Sequence, residues 1–204
     1  MDKKENTHMK FGFIGAGNVA QTYAKHFVRH GHEVVLSNSK GPDSLAELVR
    51  SISPHAKAGT VKEAAEQDIV ILAVRWEQAE QALAEVSDWN GRILVDATNR
   101  PSEEDAKGKT ASEVIASYAP GARIVKALNT VVVNWIQDYS DKKPKSVLFL
   151  SGDDPDAKQK LARALEATGF VPVDLGGLIG GGKLHDFGAP LSGLHFDLIQ
   201  RLEF

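Results

Sequence analysis

The chain has no cysteine. That excludes disulfides, thiolate metal sites and a cysteine nucleophile. It also lacks an excess of positive charge, with 24 Lys and Arg against 27 Asp and Glu. No nucleic-acid partner is therefore predicted, because nothing suggests a basic face to neutralise phosphates. No apolar run approaches the roughly 18 residues of a spanning helix, so no membrane partner is predicted either. Residues Met1 to Met9 are polar and lack the apolar middle of a secretory signal. They read as a flexible N-terminal tail, and a cytoplasmic location is expected. No His and carboxylate cluster has metal-ligand spacing, and no nucleophile–base triad stands out. No metal is predicted, and no catalytic side chain is assigned.

What the chain does have is Phe11-Gly12-Phe13-Ile14-Gly15-Ala16-Gly17-Asn18-Val19-Ala20. A short apolar run breaks into Gly-x-Gly-x-x-Ala and continues into a helical pattern from Gln21 to Val28. Strand, glycine turn and helix in that order suit a dinucleotide pyrophosphate. Gly15 permits the tight turn, Gly17 lets backbone approach the phosphates, and small Ala20 lets helix pack on strand. The free N–H groups at the helix start then face the anion. Gly15, Ala16, Gly17, Asn18 and Val19 are accordingly predicted to bind cofactor.

Strand-length apolar runs alternate with helical patterns along the chain. Strands are predicted at Lys10–Gly15, Glu33–Ser37, Ala56–Ala58, Ile69–Val74, Arg92–Ala97 and Ile124–Ala127. Helices are predicted at Ala16–His30, Ser44–Ser51, Val61–Glu66, Glu77–Val86 and Ala111–Tyr118. The alternation predicts an α/β fold, a Rossmann-type doubly wound and mostly parallel sheet. Residues 10–204 form one NAD(P)-binding unit in this reading. Within it, 137–204 is a small C-terminal capping extension that lines the acceptor pocket. That extension should hold a strand over Ser146–Ser151, a helix from Pro155 to about Thr168 and a strand over Phe170–Leu175. A glycine cluster then leads to Leu191–Phe204, where Leu191, Leu194, Leu198, Ile199 and Leu202 would share one helical face.

Cofactor choice is read at the end of the second strand. An Asp or Glu there would hold the 2′-hydroxyl of NAD. Leu36-Ser37-Asn38-Ser39-Lys40 offers no acid, and Glu33 stands too early. Asn38, Ser39 and Lys40 instead bring donors and a cation, which favours the extra phosphate of NADP. Further candidates follow the later strands, where ligands of such sheets lie. Ala73, Val74 and Arg75 follow the fourth, Asn99 and Arg100 the fifth, and Ala127, Asn129 and Thr130 the sixth. Arg75 is read either as a phosphate partner or as a solvated loop charge, and Trp76 as a core or surface anchor in preference to a crevice wall. Asp96 is expected to cap its own loop, and Lys126 either to act as a general acid or to pair with a carboxylate. His185 and His195 are expected to be surface or satisfied buried histidines. Hydride transfer to a ring acceptor needs two rings face to face, not an acid–base pair.

The Gly12–Asn18 turn, Ser37–Lys40, Ala73-Val74, Asp96–Asn99 and Val125–Thr130 occur in one order and spacing with Ser151–Asp154, Gly169-Phe170 and Asp174–Leu178. Together they resemble the NADP oxidoreductases dependent on the deazaflavin coenzyme, a group similar in turn to the cytosolic domain of membrane ferric reductases. The resemblance covers Lys10 to Phe204. It implies an NADP(H)-binding oxidoreductase that passes hydride to or from a deazaflavin or flavin. It places the nicotinamide beside Ala73-Val74 and the Ala127–Asn129 turn, and the 2′-phosphate on Asn38, Ser39 and Lys40. The family often has arginine in that last turn, where this chain has Lys40. The opening also resembles pyrroline-carboxylate reductases, whose longer helical domain has no room here. Reduction of a small imine or carbonyl, and a non-catalytic NADP-binding sensor, stay open as alternatives. A homodimer through apolar Thr130–Ile136 or the last segment stays open too.

Overall fold

A computed structural model describes residues 8–101, 108–131 and 145–200. Expectations for 1–7, for the apolar stretch beyond Val131, for the charged loop up to residue 144 and for Leu202 lie outside the described residues. Among the described residues the chain forms nine strands and seven α-helices.

The first half reads β1 (Lys10–Ile14), α1 (Asn18–Arg29), β2 (Glu33–Ser37), α2 (Ala46–Ile52), β3 (Ala56–Ala58), α3 (Val61–Ala65) and β4 (Ile69–Leu72). It continues with α4 (Ala79–Ala84), β5 (Ile93–Asp96), α5 (Ala111–Tyr118) and β6 (Arg123–Ala127). The C-terminal portion adds β7 (Lys145–Ser151), α6 (Pro155–Ala167), β8 (Val171–Asp174), α7 (Leu178–His185) and β9 (Asp197–Leu198).

The strands lie in the order β3-β2-β1-β4-β5-β6-β7-β8. From β3 to β6 every pairing is parallel. That is the doubly wound arrangement, with its reversal of direction between β1 and β4, where such sheets hold ligands. β7 then runs antiparallel to β6 and parallel to β8, while β9 pairs with its first two residues.

Alternation across the pleat builds two cores. Phe11, Phe13, Ile69, Ile71, Ile93 and Val95 face one layer, with Tyr23, Phe27 and Leu161. Ile14, Val70, Leu72 and Leu94 face the other, with Leu83, Trp89 and Ile115. The Phe11 and Phe27 rings stack with centroids 4.1 Å apart. A strand buried on both faces reads as a continuous apolar run, which is why Ile69–Leu72 carries no polar residue.

Three expectations need correction. The predicted helix over Glu77–Val86 is a 3-10 turn at Trp76–Gln78 followed by a shorter α4. The glycine cluster is partly helical, as α7. Gly181 explains the fit, since a Cβ there would stand 2.6 Å from the Cβ of Ser151 and 2.8 Å from the carbonyl oxygen of Leu175. Finally, no helix spans 191–200. Leu198 belongs to β9, and it packs with Leu191 against Val147, Phe149 and Val171. The leucine spacing suits a helix, but pairing with the open edge of β7 satisfies backbone and side chains together.

Candidate functional site

The glycine turn sits at the carboxyl end of β1. Gly15 has φ +113°, and a Cβ on it would stand 2.3 Å from the carbonyl oxygen of Ala73. Both facts require glycine. Gly12 is pressed harder, because its Cβ would lie 1.8 Å from the carbonyl oxygen of Ala64. Gly17 differs. Its backbone is extended, and a Cβ built on it meets no atom within 4 Å. Nothing inside the chain requires glycine there. Gly17 is also the N-cap of α1, with no side-chain hydrogen bond to the helix's first amides. Open space beside uncapped amides fits an anionic group from outside, as a pyrophosphate would be.

A cavity of about 420 Å³ opens at this point. Its lining includes Gly15, Ala16, Gly17, Asn38, Ser39, Ala73, Val74 and Arg75. Eight of the predicted cofactor residues are thus brought to one crevice. Asn18 and Val19 stand at the start of α1, and Val19 packs against the core. Lys40 is exposed beyond the lining. The Ser37 hydroxyl donates to the carbonyl oxygen of Phe13 at 2.8 Å and is structural.

The other candidates gather at the ends of β5 and β6. The Asn99 amide donates to the carbonyl oxygen of Asn129 at 3.2 Å, and the Asn129 amide donates to Oδ1 of Asn99 at 3.3 Å and to the carbonyl oxygen of His185 at 2.6 Å. Asn129 Oδ1 is buried and, among the described residues, has no hydrogen-bond partner. Leu128 between them has φ +65°, a conformation rare for a branched side chain. Such strain gathers at functional sites. Ala127 is buried with its methyl in the core, at the start of this turn.

Beneath this turn lies a buried charge cluster. Lys126 and Asp96 are both fully buried, with Nζ 3.2 Å from Asp96 Oδ2 and 2.6 Å from the carbonyl oxygen of Thr98. Asp96 also accepts from the Ser112 hydroxyl, and from the Thr98 hydroxyl and amide. Burial works against its charge, but Lys126, Ser112 and Thr98 outweigh it and hold the carboxyl below its ordinary value. Asp186 approaches Lys126 to 3.7 Å and caps the first amide of α5. His185 is fully buried with Nε2 2.8 Å from the Ser151 hydroxyl. Burial first, and Lys126 second, push its pKa down to about 4, so the ring is neutral at physiological pH.

Lys126 is therefore the partner of a carboxylate, as one of its two readings expected. Asp96 does cap its own loop, and it also anchors the lysine. The sequence reading missed Asp186 and Ser112, whose positions depend on α5 and α7 folding over the sheet. A second cavity of about 690 Å³ lies beside this junction, lined among others by Arg100, Pro101, Lys109, Thr110, Lys183 and Phe187. His195 pairs with Asp197 at 3.0 Å, away from the crevice. Among the described residues there is no metal-binding group, and no helix is long and apolar enough to cross a membrane.

Residues 10–100, which carry the whole crevice, match the family model described as NADP oxidoreductase, coenzyme F420-dependent. Over those residues the chain is similar to that family. Over 96% of its length it superposes on 98% of the hypothetical protein SMa0349 from Sinorhizobium meliloti, with TM-score 0.87 and 34% identity. Over 83% it superposes on 86% of a candidate F420-dependent NADP reductase from Arthrobacter sp. FB24, with TM-score 0.69 and 26% identity. Among curated proteins it is 29% identical over 171 residues to metalloreductase STEAP3 of Rattus norvegicus. That match takes in 83% of this chain and 34% of the relative, so the chain spans about a third of the curated relatives' length.

Proposed function

We propose that the protein is an NADPH-dependent reductase whose hydride acceptor is a flavin or deazaflavin ring. The crevice supports NADP(H) as the nucleotide: an open Gly17 and uncapped α1 suit the pyrophosphate, and no carboxylate stands at the end of β2. Bound there, NADPH would supply the hydride. Gly15, Ala16 and Gly17 would hold the diphosphate through backbone amides, and Ser39 with its neighbours would meet the adenosine end. Ala73 and Val74 would wall the crevice. Asn99 and Asn129, locked to each other and to the carbonyl of His185, would orient the reacting end and present Asn129 Oδ1 as an acceptor.

The observation that carries the acceptor class is the state of the titratable groups at this end of the sheet. Lys126 is held in a buried ion pair, and His185 is neutral and hydrogen-bonded to Ser151. Neither is free to trade a proton with a substrate, which leaves, among the described residues, Lys109, Lys183 and Asp186 as the proton-exchanging side chains on the larger cavity. A ring acceptor needs none, since positioning and exclusion of water suffice. An imine or carbonyl needs a proton donor at the moment of transfer. The larger cavity beside Arg100 and Phe187, lined by both halves of the chain, is where this reading places the acceptor.

The test is NADPH oxidation with deazaflavin, FMN, FAD, riboflavin, ferric chelates and small imines offered in turn. Turnover confined to ring acceptors is the expected result. Turnover of imines alone would replace the proposal with the carbonyl-type reaction. Tight NADPH binding with no acceptor consumed would make the protein a sensor.

A further inference from the structure

The proposed phosphate selectivity raises a question of charge. The turn after β2 holds less recognition capacity than its composition suggests. The Asn38 amide donates to Ser44 Oγ at 3.0 Å, and its Oδ1 accepts the Lys40 amide at 2.9 Å. Its side chain is therefore committed to closing the turn, as asparagine commonly does. Lys40 contributes that amide, while its side chain lies outside the cavity lining. Among the described residues no hydrogen bond engages the Ser39 hydroxyl, which stands on the cavity wall.

Arg75 faces the same cavity from the loop after β4. It is exposed, and among the described residues no carboxylate pairs with it, although Glu85 also lines the cavity. Its backbone is well anchored. It caps the 3-10 turn at Trp76–Gln78, its carbonyl accepts the Gln78 amide at 3.0 Å, and Val74 before it packs into the core. A forked guanidinium on a fixed base matches a phosphoryl group with two parallel hydrogen bonds, which an ammonium cannot do.

We infer that Arg75, not Lys40, is the cation that makes this chain prefer NADPH to NADH, by gripping the 2′-phosphate across the crevice from Ser39. The inference rests on the NADP reading above and names the residue that sets its selectivity.

Calorimetry separates the two assignments. NADPH, NADH, 2′,5′-ADP and 5′-AMP are titrated into the wild type, Arg75→Ala, Arg75→Lys and Lys40→Ala. Arg75→Ala should raise the dissociation constants of NADPH and 2′,5′-ADP by about tenfold to a hundredfold, the loss of a charge-assisted pair, and those of NADH and 5′-AMP by less than about twofold. Arg75→Lys should restore only part of the preference, because the fork is gone. Lys40→Ala should reduce the preference less than Arg75→Ala does. Equal weakening of all four ligands by Arg75→Ala would overturn the assignment and give Arg75 to the pyrophosphate or adenine. Loss of preference in Lys40→Ala with preference intact in Arg75→Ala would return it to the turn. If the wild type binds none of the four, the NADP reading itself has failed. Matching thermal midpoints establish that the variants are folded.

Discussion

Where β1 and β4 end, the chain clears side chains away; where β5 and β6 end, it packs charged ones in at full burial. The first region is Gly15, Gly17 and small Ala16 around open space, with a helix start left uncapped. The second is Lys126 and Asp96 with no exposure, ringed by Ser112, Thr98 and Asp186 and with neutral His185 beside them. One leaves the first amides of α1 without a side-chain cap, as the proposed anion site requires. The other satisfies its charges internally, tying α5 and α7 to the sheet. A position open to a ligand, such as Gly17, tolerates change without unfolding, whereas a region built from buried charges does not.

The strongest way to break this contrast is Lys126→Met. It strands Asp96 in the core without its counter-charge, and stability should fall by about 3–5 kcal/mol, read from denaturant midpoints. Adding Asp96→Asn should recover part of the loss, because a neutral amide needs no partner ion. An unchanged midpoint in the single variant would mean that the pair carries no structural weight.

Acid should act on the same junction. The folded state holds His185 at about 4 against an ordinary 6.5. Between those values the unfolded chain binds the proton and the folded chain does not. Stability contributed by the neutral ring is thus complete above pH 6.5 and is lost as pH falls toward 4. The loss should reach about 3 kcal/mol, and His185→Gln should flatten that part of the profile. A wild-type profile already flat across the window would refute it.

The smallest and sharpest test sets two neighbouring glycines against each other. Gly12→Ala drives a methyl into the Ala64 carbonyl and should cost about 1–3 kcal/mol. Gly17→Ala points a methyl into empty space and should move stability by less than about 0.5 kcal/mol, while NADPH binding weakens. Similar stability losses at both positions would erase the distinction between packing glycine and ligand glycine.

The crevice was largely legible before folding was considered. Glycine at fixed offsets after an apolar run carries its own steric meaning, and doubly buried strands such as Ile69–Leu72 leave no polar residue to confuse them. The missing acid at the end of β2 could also be read directly. The C-terminal portion was harder. Gly180, Gly181 and Gly182 oppose a helix by propensity, yet α7 forms, and only glycine at 181 lets it approach Ser151 and Leu175 so closely. Leu191, Leu194 and Leu198 kept helical spacing while the first residues of β7 drew Asp197 and Leu198 into a short strand instead.

Local pattern thus determined the nucleotide-binding half, because the turn, the helix start and the strand period are each satisfied within a few residues of one another. Tertiary structure alone decided the fate of Lys126, the neutrality of His185, the left-handed Leu128 and the pairing of β9. Each depends on groups brought from distant parts of the chain. Asp186 and Lys126 are 60 positions apart yet 3.7 Å distant in space, and the stability of a buried charge depends on such a neighbour, not on the residues beside it in sequence.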